Sequence, residues 1–287
     1  MQSGVLGTGF LLGGGLSHLA SGFGHSSAAE PGPPYGLQGY PNFKEYKAAK
    51  KAAHQEIPPV RVDPDNPSIL LHDYLCQKCG HCDEVCTDQM TVSHYCQPAV
   101  VQEKAVCIHC GQCTNICMRG GMSERTEFPR IRRMATDKGR VLIASTSPAV
   151  RVALGESFGL EPGTDCEGKM VEALRRIGFR HVLDTTFAAD LTVVEEANEL
   201  IKRLDTKRAP KAVLPQFTSC CPAWVSFVES FYPVLLPHLS TTKSPVMIQG
   251  AAIKTWFAKK HGIDPKSIVN VACTPCTWSM KPGYPAR

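Results

Sequence analysis

The spacing of apolar and polar residues divides the chain into three parts. Residues 1–66 have no regular apolar period and are rich in Gly and Pro, which predicts a flexible N-terminal tail and linker. From Arg140 onward, short apolar runs alternate with stretches of helical period. This alternation predicts an α/β domain with a mostly parallel sheet over residues 135–287. Between these parts, residues 67–130 begin with the apolar run Ile69–Leu71 and carry most of the cysteines.

Individual strands and helices can be read from the third part. Apolar runs predict strands over residues 141–144, 181–184, 211–214 and 268–271. A helical period predicts one helix that begins at Pro148 and a second that ends at Ile177. Three further helices are predicted over residues 190–204, 224–231 and 247–260. One face of the helix over residues 190–204 carries Val193, Ala197, Leu200, Ile201 and Leu204. In α/β folds of this kind, binding sites collect in the loops at strand ends.

Composition excludes several classes of function. The chain has 287 residues and a net charge of +5, without a basic stripe interleaved with aromatics, so nucleic acid is not an expected partner. The apolar run Val5–Leu16 lacks the basic start of a signal peptide and is shorter than the roughly 20 residues that span a bilayer. Fourteen cysteines, many at Cys-x-x-Cys spacing, indicate metal ligands that need a reducing compartment. We therefore expect a cytoplasmic protein without a membrane span.

Two cysteine quartets share the spacing Cys-x-x-Cys-x-x-Cys-x-x-x-Cys. They are Cys76, Cys79, Cys82 and Cys86, followed by Cys107, Cys110, Cys113 and Cys117. Three cysteines at this spacing wrap a tight loop around a [4Fe-4S] cubane, and the fourth typically ligates the other cluster. One cluster is therefore expected on Cys76, Cys79, Cys82 and Cys117, and the second on Cys107, Cys110, Cys113 and Cys86. Zinc, the alternative, prefers two Cys-x-x-Cys pairs separated by a longer loop.

The quartet segment resembles bacterial two-cluster ferredoxins over about residues 69–128. The resemblance implies an α+β ferredoxin-like domain, residues 67–130, that relays electrons one at a time through two [4Fe-4S] clusters. The chain departs from those ferredoxins at Thr87 and Met118, where proline usually follows the last cysteine of each quartet. This departure concerns loop rigidity more than ligation.

Two further pairs of residues are candidates for chemistry. Cys220 and Cys221 are adjacent, and adjacent cysteines rarely form a disulfide with each other because the ring is strained. One sulfur can then bind a metal while the other serves proton or redox chemistry, or both are buried structural thiols. Glu196 and Glu199 are three residues apart on a predicted helix, so they are neighbours on its surface. They either pass protons or form a solvated acidic face.

Together with the quartets, four short motifs resemble those of the [FeFe]-hydrogenases over about residues 69–277. They are Pro148-Ala149-Val150-Arg151, Gly168-Lys169-Met170, Ala189-Asp190-Leu191-Thr192 and Thr218-Ser219-Cys220-Cys221-Pro222. The resemblance implies the reversible reduction of protons to H2. It also implies an H-cluster, in which a [4Fe-4S] cubane is joined through a cysteine sulfur to a di-iron unit with CO, cyanide and a dithiolate bridge. The implied partners are ferredoxin or a similar low-potential donor, and hydrogenase maturation proteins.

The same resemblance assigns roles to single residues. Cys221 and Cys276 match ligands of the H-cluster cubane, and Cys220 matches the cysteine that passes protons to the di-iron bridge. The remaining matches are Glu196, Glu199 and Ser240 in a proton relay from the surface, and Pro148 and Ala149 in the loop that lines the di-iron pocket.

The chain departs from the family after Cys276. The position three residues on is a lysine in the family and is Ser279 here, with Lys281 two residues later. The chain ends at Arg287, before a third motif that supplies two more cubane cysteines in the family. We therefore expect residues 135–287 to be a truncated, N-terminal part of the H-cluster domain. The polypeptide as given is expected to keep its ferredoxin clusters without turning over hydrogen.

Two other functions stay open. A Nar1-like iron–sulfur assembly protein would share the hydrogenase scaffold without making hydrogen. Such proteins lack a full two-cluster repeat and generally lack the proton-transfer cysteine, so Cys220 and the second quartet weigh against this reading. The other alternative is a plain iron–sulfur electron carrier or redox sensor.

Overall fold

The parallel sheet expected from the apolar runs is present in the computed structural model, which describes residues 48, 57, 59–92, 106–205 and 213–277. All of these residues lie in one compact unit, residues 33–287. Most of the predicted tail lies outside the described residues. Its last residues are described, and two of them, Val60 and Asn66, are buried, which is not expected of a flexible linker. In the described part, no helix is both long and apolar enough to cross a membrane.

Helices of different lengths and short strands follow one another along the described chain. In order, they are β1 (Ile69–Leu71), α1 (His81–Glu84), α2 (Gln112–Ile116), β2 (Met122–Glu124), α3 (Phe128–Ala135), β3 (Val141–Thr146), α4 (Pro148–Ala153), α5 (Glu167–Ile177), β4 (His181–Asp184), α6 (Thr186–Leu204), α7 (Pro222–Phe231), α8 (Pro245–Ala252), α9 (Ala258–His261) and β5 (Ile268–Cys273). Turns of π or 3-10 type lie at Val85–Gln89, Leu154–Phe158, Pro233–His238 and Ile253–Phe257.

Strand β3 is the centre of the parallel sheet. It pairs with β4 on one side and β5 on the other, so that Thr146 aligns with both Asp184 and Cys273. The carboxyl ends of the three strands therefore meet at one edge. The loops that leave this edge carry several of the predicted site residues.

Both faces of β3 are covered, which is why its sequence is a continuous apolar run. On one face, Ile143 belongs to a buried cluster with Ile253 and Phe257. On the other face, Leu142 and Phe179 belong to a second buried cluster. The prediction of a buried strand here is confirmed.

The strand predicted over residues 211–214 is wrong for its described half. Val213 and Leu214 are not in a strand, and residues 211–212 lie outside the described residues. The backbone here does not have free groups for strand pairing. Pro215 has no N–H to donate, and the carbonyl of Val213 accepts a hydrogen bond from Arg203 at 3.1 Å. The apolar run does not reveal this hydrogen bond, which explains why the strand prediction is wrong.

Helix α6 begins at Thr186, earlier than the predicted start at residue 190. Its buried side chains are the small ones, Ala188 and Thr192, and α8 packs against this helix. The apolar stripe noted in the sequence is instead exposed, to 65% at both Val193 and Ile201. The stripe therefore does not mark the buried face, because α6 buries small side chains rather than long ones.

The cysteine-rich region has a small core of its own. Strands β1 and β2 pair in antiparallel fashion, and the chain between them carries both quartets. The buried cluster beneath them consists of Val60, Ile69, Cys82 and Met122. A bound metal would add to the stability that this core supplies.

Candidate functional site

Two cavities in the cysteine-rich region each gather one of the expected ligand sets. The first cavity is lined by a set that includes Cys76, Cys79, Cys82 and Cys117. The second is lined by a set that includes Cys86, Cys107, Cys110 and Cys113. In each cavity three cysteines come from one quartet and the fourth from the other, as expected for two neighbouring [4Fe-4S] clusters. Four thiols are a donor set that suits a cubane.

The cysteines of each cavity can also be compared with the ligands of a single metal ion. Among the described residues, no three Cys, His, Asp or Glu side chains are placed to hold one ion. Four zinc thiolates converge on a single point, whereas sulfurs around a cubane stand apart because the cluster lies between them. None of the described cysteines is in a disulfide.

The outer loop, residues 76–80, and the inner loop, residues 107–111, share one backbone conformation. The residue before the second cysteine has a positive φ in both, 51° at Lys78 and 57° at His109. The glycine after that cysteine has a φ of 79° in the outer loop and 77° in the inner loop. The amides of Lys78 and His109 each donate to the sulfur of the first cysteine at 3.4 Å. Both loops therefore wrap their cysteines in the same way.

The electrostatics of the two cavities suit metal binding. Burial raises the pKa of the Cys82 thiol to about 11. Burial raises the pKa of Cys113 further still, and the neighbouring thiolates of Cys107 and Cys86 add to that shift. Crowded, desolvated thiols keep their protons as long as no metal is bound. A bound metal cation displaces these protons and supplies the compensating charge.

The carboxyl edge of the parallel sheet brings two of the predicted loops together. Pro148 and Ala149 follow β3, and Cys276 follows β5 by three residues. The two loops begin side by side, because the amide of Ser147 donates to the carbonyl of Cys273 at 2.9 Å. Pro148 and Ala149 are exposed, and Cys276 is half-buried.

The adjacent thiols lie at the start of helix α7, for which Cys221 is the N-cap residue. Partial burial raises the pKa of the Cys220 thiol, and the nearby carboxylate of Glu196 raises it further. Cys221 contributes to raising the pKa of Cys110 in the inner loop. The second cavity and the cysteine pair are therefore within electrostatic reach of each other.

The acidic residues of α6 reach the same area from another side. The amide of Ser219 donates to Oε1 of Glu196 at 3.4 Å, directly before Cys220. Within the next turn of the helix, Oε2 of Glu199 accepts from the hydroxyl of Ser240 at 2.7 Å. The structure thus brings Glu196 to the cysteine pair and Glu199 to Ser240.

Comparison with known proteins identifies the second domain. Residues 140–279 match the family described as "Iron only hydrogenase large subunit, C-terminal domain". The chain is also 40% identical over 221 residues to the periplasmic [Fe] hydrogenase large subunit of Nitratidesulfovibrio vulgaris, an alignment that covers 76% of this chain. Residues 140–279 belong to the iron-only hydrogenase family. In the following, this segment is called the hydrogenase domain.

Solved hydrogenase structures share the fold. One [FeFe]-hydrogenase, solved in work on oxygen inactivation of its H cluster, is 39% identical with a TM-score of 0.51, covering 54% of this chain and 40% of that one. The chain spans about half the length of the N. vulgaris relative, 52%. It is also 32% identical over 143 residues to cytosolic iron-sulfur assembly component 3 of Bos taurus, covering 50% of this chain and 30% of that protein.

Arg203 is a residue of the hydrogenase domain that sequence reasoning missed. Its guanidinium donates to Oε1 of Glu199 at 2.6 Å and to the carbonyl of Leu239 at 2.8 Å. Burial alone would raise the pKa of Glu199, but hydrogen bonds from Ser240, Arg203 and Thr241 outweigh it, so the pKa lies below its usual value. The i, i+4 spacing of Glu199 and Arg203 was the available signal.

Thr277 is the second residue that was missed. Its hydroxyl donates to the carbonyl of His109 in the inner loop at 2.5 Å. No local pattern indicates this contact, because the two residues are 168 positions apart. Ser279 and Lys281, where the chain departs from the family, lie outside the described residues.

Proposed function

We propose that the protein works as an [FeFe]-hydrogenase and takes part in the interconversion of protons, electrons and H2. The observation that supports this most directly is the meeting of the inner loop with the candidate active-site cysteines. Cys110 is within electrostatic reach of Cys221, and Thr277, next to Cys276, is hydrogen-bonded to the inner loop. Electrons that pass through the cluster of the inner loop would therefore reach Cys221 and Cys276, two candidate ligands of the H-cluster cubane.

The chain offers ligands for two kinds of group. The eight cysteines that line the two cavities would hold two [4Fe-4S] clusters in a ferredoxin-like domain, and Cys221 and Cys276 would supply two ligands to the cubane of an H-cluster. When bound, these groups supply one-electron transfer and the metal centre for hydrogen chemistry. Pro148 and Ala149, at the sheet edge beside the Cys276 loop, would line the pocket of the di-iron unit.

Protons would travel along residues of the chain itself. Ser240 and Glu199 would form the outer part of the route and Glu196 and Cys220 the inner part. Because hydrogen bonds lower the pKa of Glu199, a proton taken up by this carboxylate is readily passed on. The raised pKa of Cys220 keeps its thiol protonated at neutral pH, as a proton donor requires.

The proposed partners follow from the electron route. A ferredoxin or another low-potential carrier would exchange electrons with the cluster of the outer loop, and hydrogenase maturation proteins would supply the di-iron unit. The cytoplasmic location stays a prediction, since the N. vulgaris relative is named a periplasmic enzyme.

An iron–sulfur assembly role is the second candidate, favoured by the 32% identity to the Bos taurus protein. Such a role would have no use for a protonated thiol beside a carboxylate. The contact of Glu196 with the amide before Cys220 therefore favours the hydrogenase.

Hydrogen evolution tests the proposal. The chain would be reconstituted with iron and sulfide, matured with the di-iron unit, and assayed by gas chromatography with reduced methyl viologen, both alone and fused to the remaining length of the N. vulgaris relative. We expect the fused protein to evolve H2, and Cys220→Ser to lower the rate by about 100-fold or more because a general acid is lost.

Cys166→Ser is the matched control, because Cys166 is a buried thiol outside both cavities. It should leave the rate unchanged. A fused protein with its full iron content and no H2 evolution would overturn the proposal, as would a Cys220→Ser variant with the same rate as the control.

A further inference from the structure

We propose that Thr277 is a positioning residue that fixes the inner loop against the candidate active-site loop and so sets the electronic contact between them. The inference rests on the proposed function and assigns a role to a side chain outside the matched ligands and proton relay. It is carried by a hydrogen bond, a steric fit and a comparison of the two cysteine loops.

The hydrogen bond links the backbone next to one candidate ligand with the residue next to another. The carbonyl of His109 that accepts from Thr277 at 2.5 Å belongs to the peptide group leading directly to Cys110. On the other side, Thr277 is bonded directly to Cys276. One hydrogen bond therefore completes a path of short covalent links from one candidate ligand to the other. Electron transfer weakens steeply with distance, so this spacing matters.

The steric fit is at Gly111. A Cβ atom at this position would lie 2.7 Å from Cγ2 and 2.9 Å from Oγ1 of Thr277, which is closer than real contacts allow. The inner loop thus needs glycine here both for its φ of 77° and for the approach of the threonine. The Thr277 side chain occupies the space that the missing Cβ leaves.

The outer loop has the same backbone conformation but a different partner at the equivalent carbonyl. There the carbonyl of Lys78, at the position equivalent to His109, accepts from the backbone amide of Ile57 at 3.0 Å. A Cβ on Gly80 would lie 2.5 Å from Cγ2 of Ile57. In the outer loop, Ile57 therefore makes the two contacts that Thr277 makes in the inner loop. The two loops are alike in backbone conformation, and the hydroxyl of Thr277 connects the inner loop to the hydrogenase domain.

Amide hydrogen exchange on the reconstituted full chain tests the positioning role. Thr277→Val keeps the shape of the side chain and removes the donor, whereas Thr277→Ser keeps the donor. We expect Thr277→Val to raise exchange in the inner loop by about fivefold, the size set by the net worth of one hydrogen bond, and Thr277→Ser to restore it. Exchange in the outer loop should not change.

Thr255→Val is the matched control, since the hydroxyl of Thr255, in the exposed π turn after α8, also donates to a backbone carbonyl, that of Ala251 at 2.8 Å. It should leave both loops unchanged. Unchanged exchange in the inner loop of Thr277→Val, or equal changes in both loops, would overturn the inference. This readout does not need hydrogen production, so it stands or fails separately from the proposed function.

A second measurement separates electronic contact from general loosening. In the fused protein, Thr277→Val should slow H2 evolution severalfold with reduced ferredoxin, which enters through the clusters, and less with viologen, which also reduces the active site directly. A change of equal size with both donors would contradict a role in electron delivery. Absence of H2 with either donor would count against the proposed function, while the exchange result would still decide the place of Thr277.

Discussion

The cysteine-rich region and the hydrogenase domain assemble their candidate sites in opposite ways. In the first, each cavity takes three of its four cysteines from a loop only a few residues long. In the second, Cys221 lies at the start of a helix, Cys276 follows a strand, and Glu196 lies in the middle of another helix. Local spacing therefore determines the first kind of site, and the packing of the whole domain determines the second.

Cysteine substitution should give the largest effect, because a cubane is lost as a unit. Cys113→Ser removes a half-buried member of the second cavity, and we expect iron content after reconstitution to fall from about eight to about four atoms per chain. Chemical iron analysis measures this, with Cys166→Ser as control. Loss of all iron would show that the cavities depend on each other, and no loss would show that Cys113 is not a ligand.

Glycine substitution in the loops should be next. Gly80→Ala and Gly111→Ala both introduce a side chain at positive φ and into a contact closer than 3.0 Å. We expect each to lower the free energy of unfolding by about 2–4 kcal/mol, combining backbone strain with overpacking. The midpoint of thermal unfolding, measured under anaerobic conditions, reports the change.

Gly120→Ala is the control for backbone strain alone. Gly120 also has a positive φ, 68°, but nothing lies within 4 Å of its added Cβ. Its cost should be limited to about 1–2 kcal/mol. If Gly111→Ala cost no more than Gly120→Ala, the close fit of Thr277 against the inner loop would be contradicted.

Glu199→Gln should be intermediate and dependent on pH. The substitution leaves the largely buried Arg203 guanidinium without its carboxylate, so we expect a loss of about 2 kcal/mol at pH 7. Because the pKa of Glu199 is lowered on folding, its stabilisation is present above the usual Glu pKa and is lost as pH falls through the lowered value. The difference between wild type and variant should therefore shrink below about pH 4.

Urea unfolding at several pH values measures this difference. Glu195→Gln, an exposed glutamate on the same helix, serves as control and should change stability little at any pH. A loss for Glu199→Gln that is the same at acid and neutral pH would contradict the role of its charge.

The smallest effect is expected at the sheet edge. Arg151 pairs with Asp184 at 2.5 Å and ties α4 to the end of β4, but both side chains are partly exposed. Arg151→Gln should cost about 0.5–1 kcal/mol at low salt and less at high salt, because screening weakens the pair. Arg176→Gln breaks a more exposed pair with Glu172 and should cost almost nothing. Equal, salt-independent losses would contradict the electrostatic explanation.

The same contrast explains what the sequence could predict. The membership of both cavities followed from cysteine spacing, because three ligands at two-residue intervals leave few geometries. The central strand followed from its apolar run. Thr277 and Arg203 were missed, since their partners at His109 and Leu239 are distant in the chain. The exposed stripe of α6 was not foreseen either, because periodicity shows which residues share a face and not which face is covered.

Counting the reduced clusters tests the account most directly. The reconstituted chain would be reduced with dithionite without oxygen, and EPR spin quantification would be combined with iron and sulfide analysis. We predict two [4Fe-4S] clusters per chain that interact magnetically, since each cavity takes one cysteine from the other quartet. One isolated cluster, or bound zinc without an EPR signal, would contradict it.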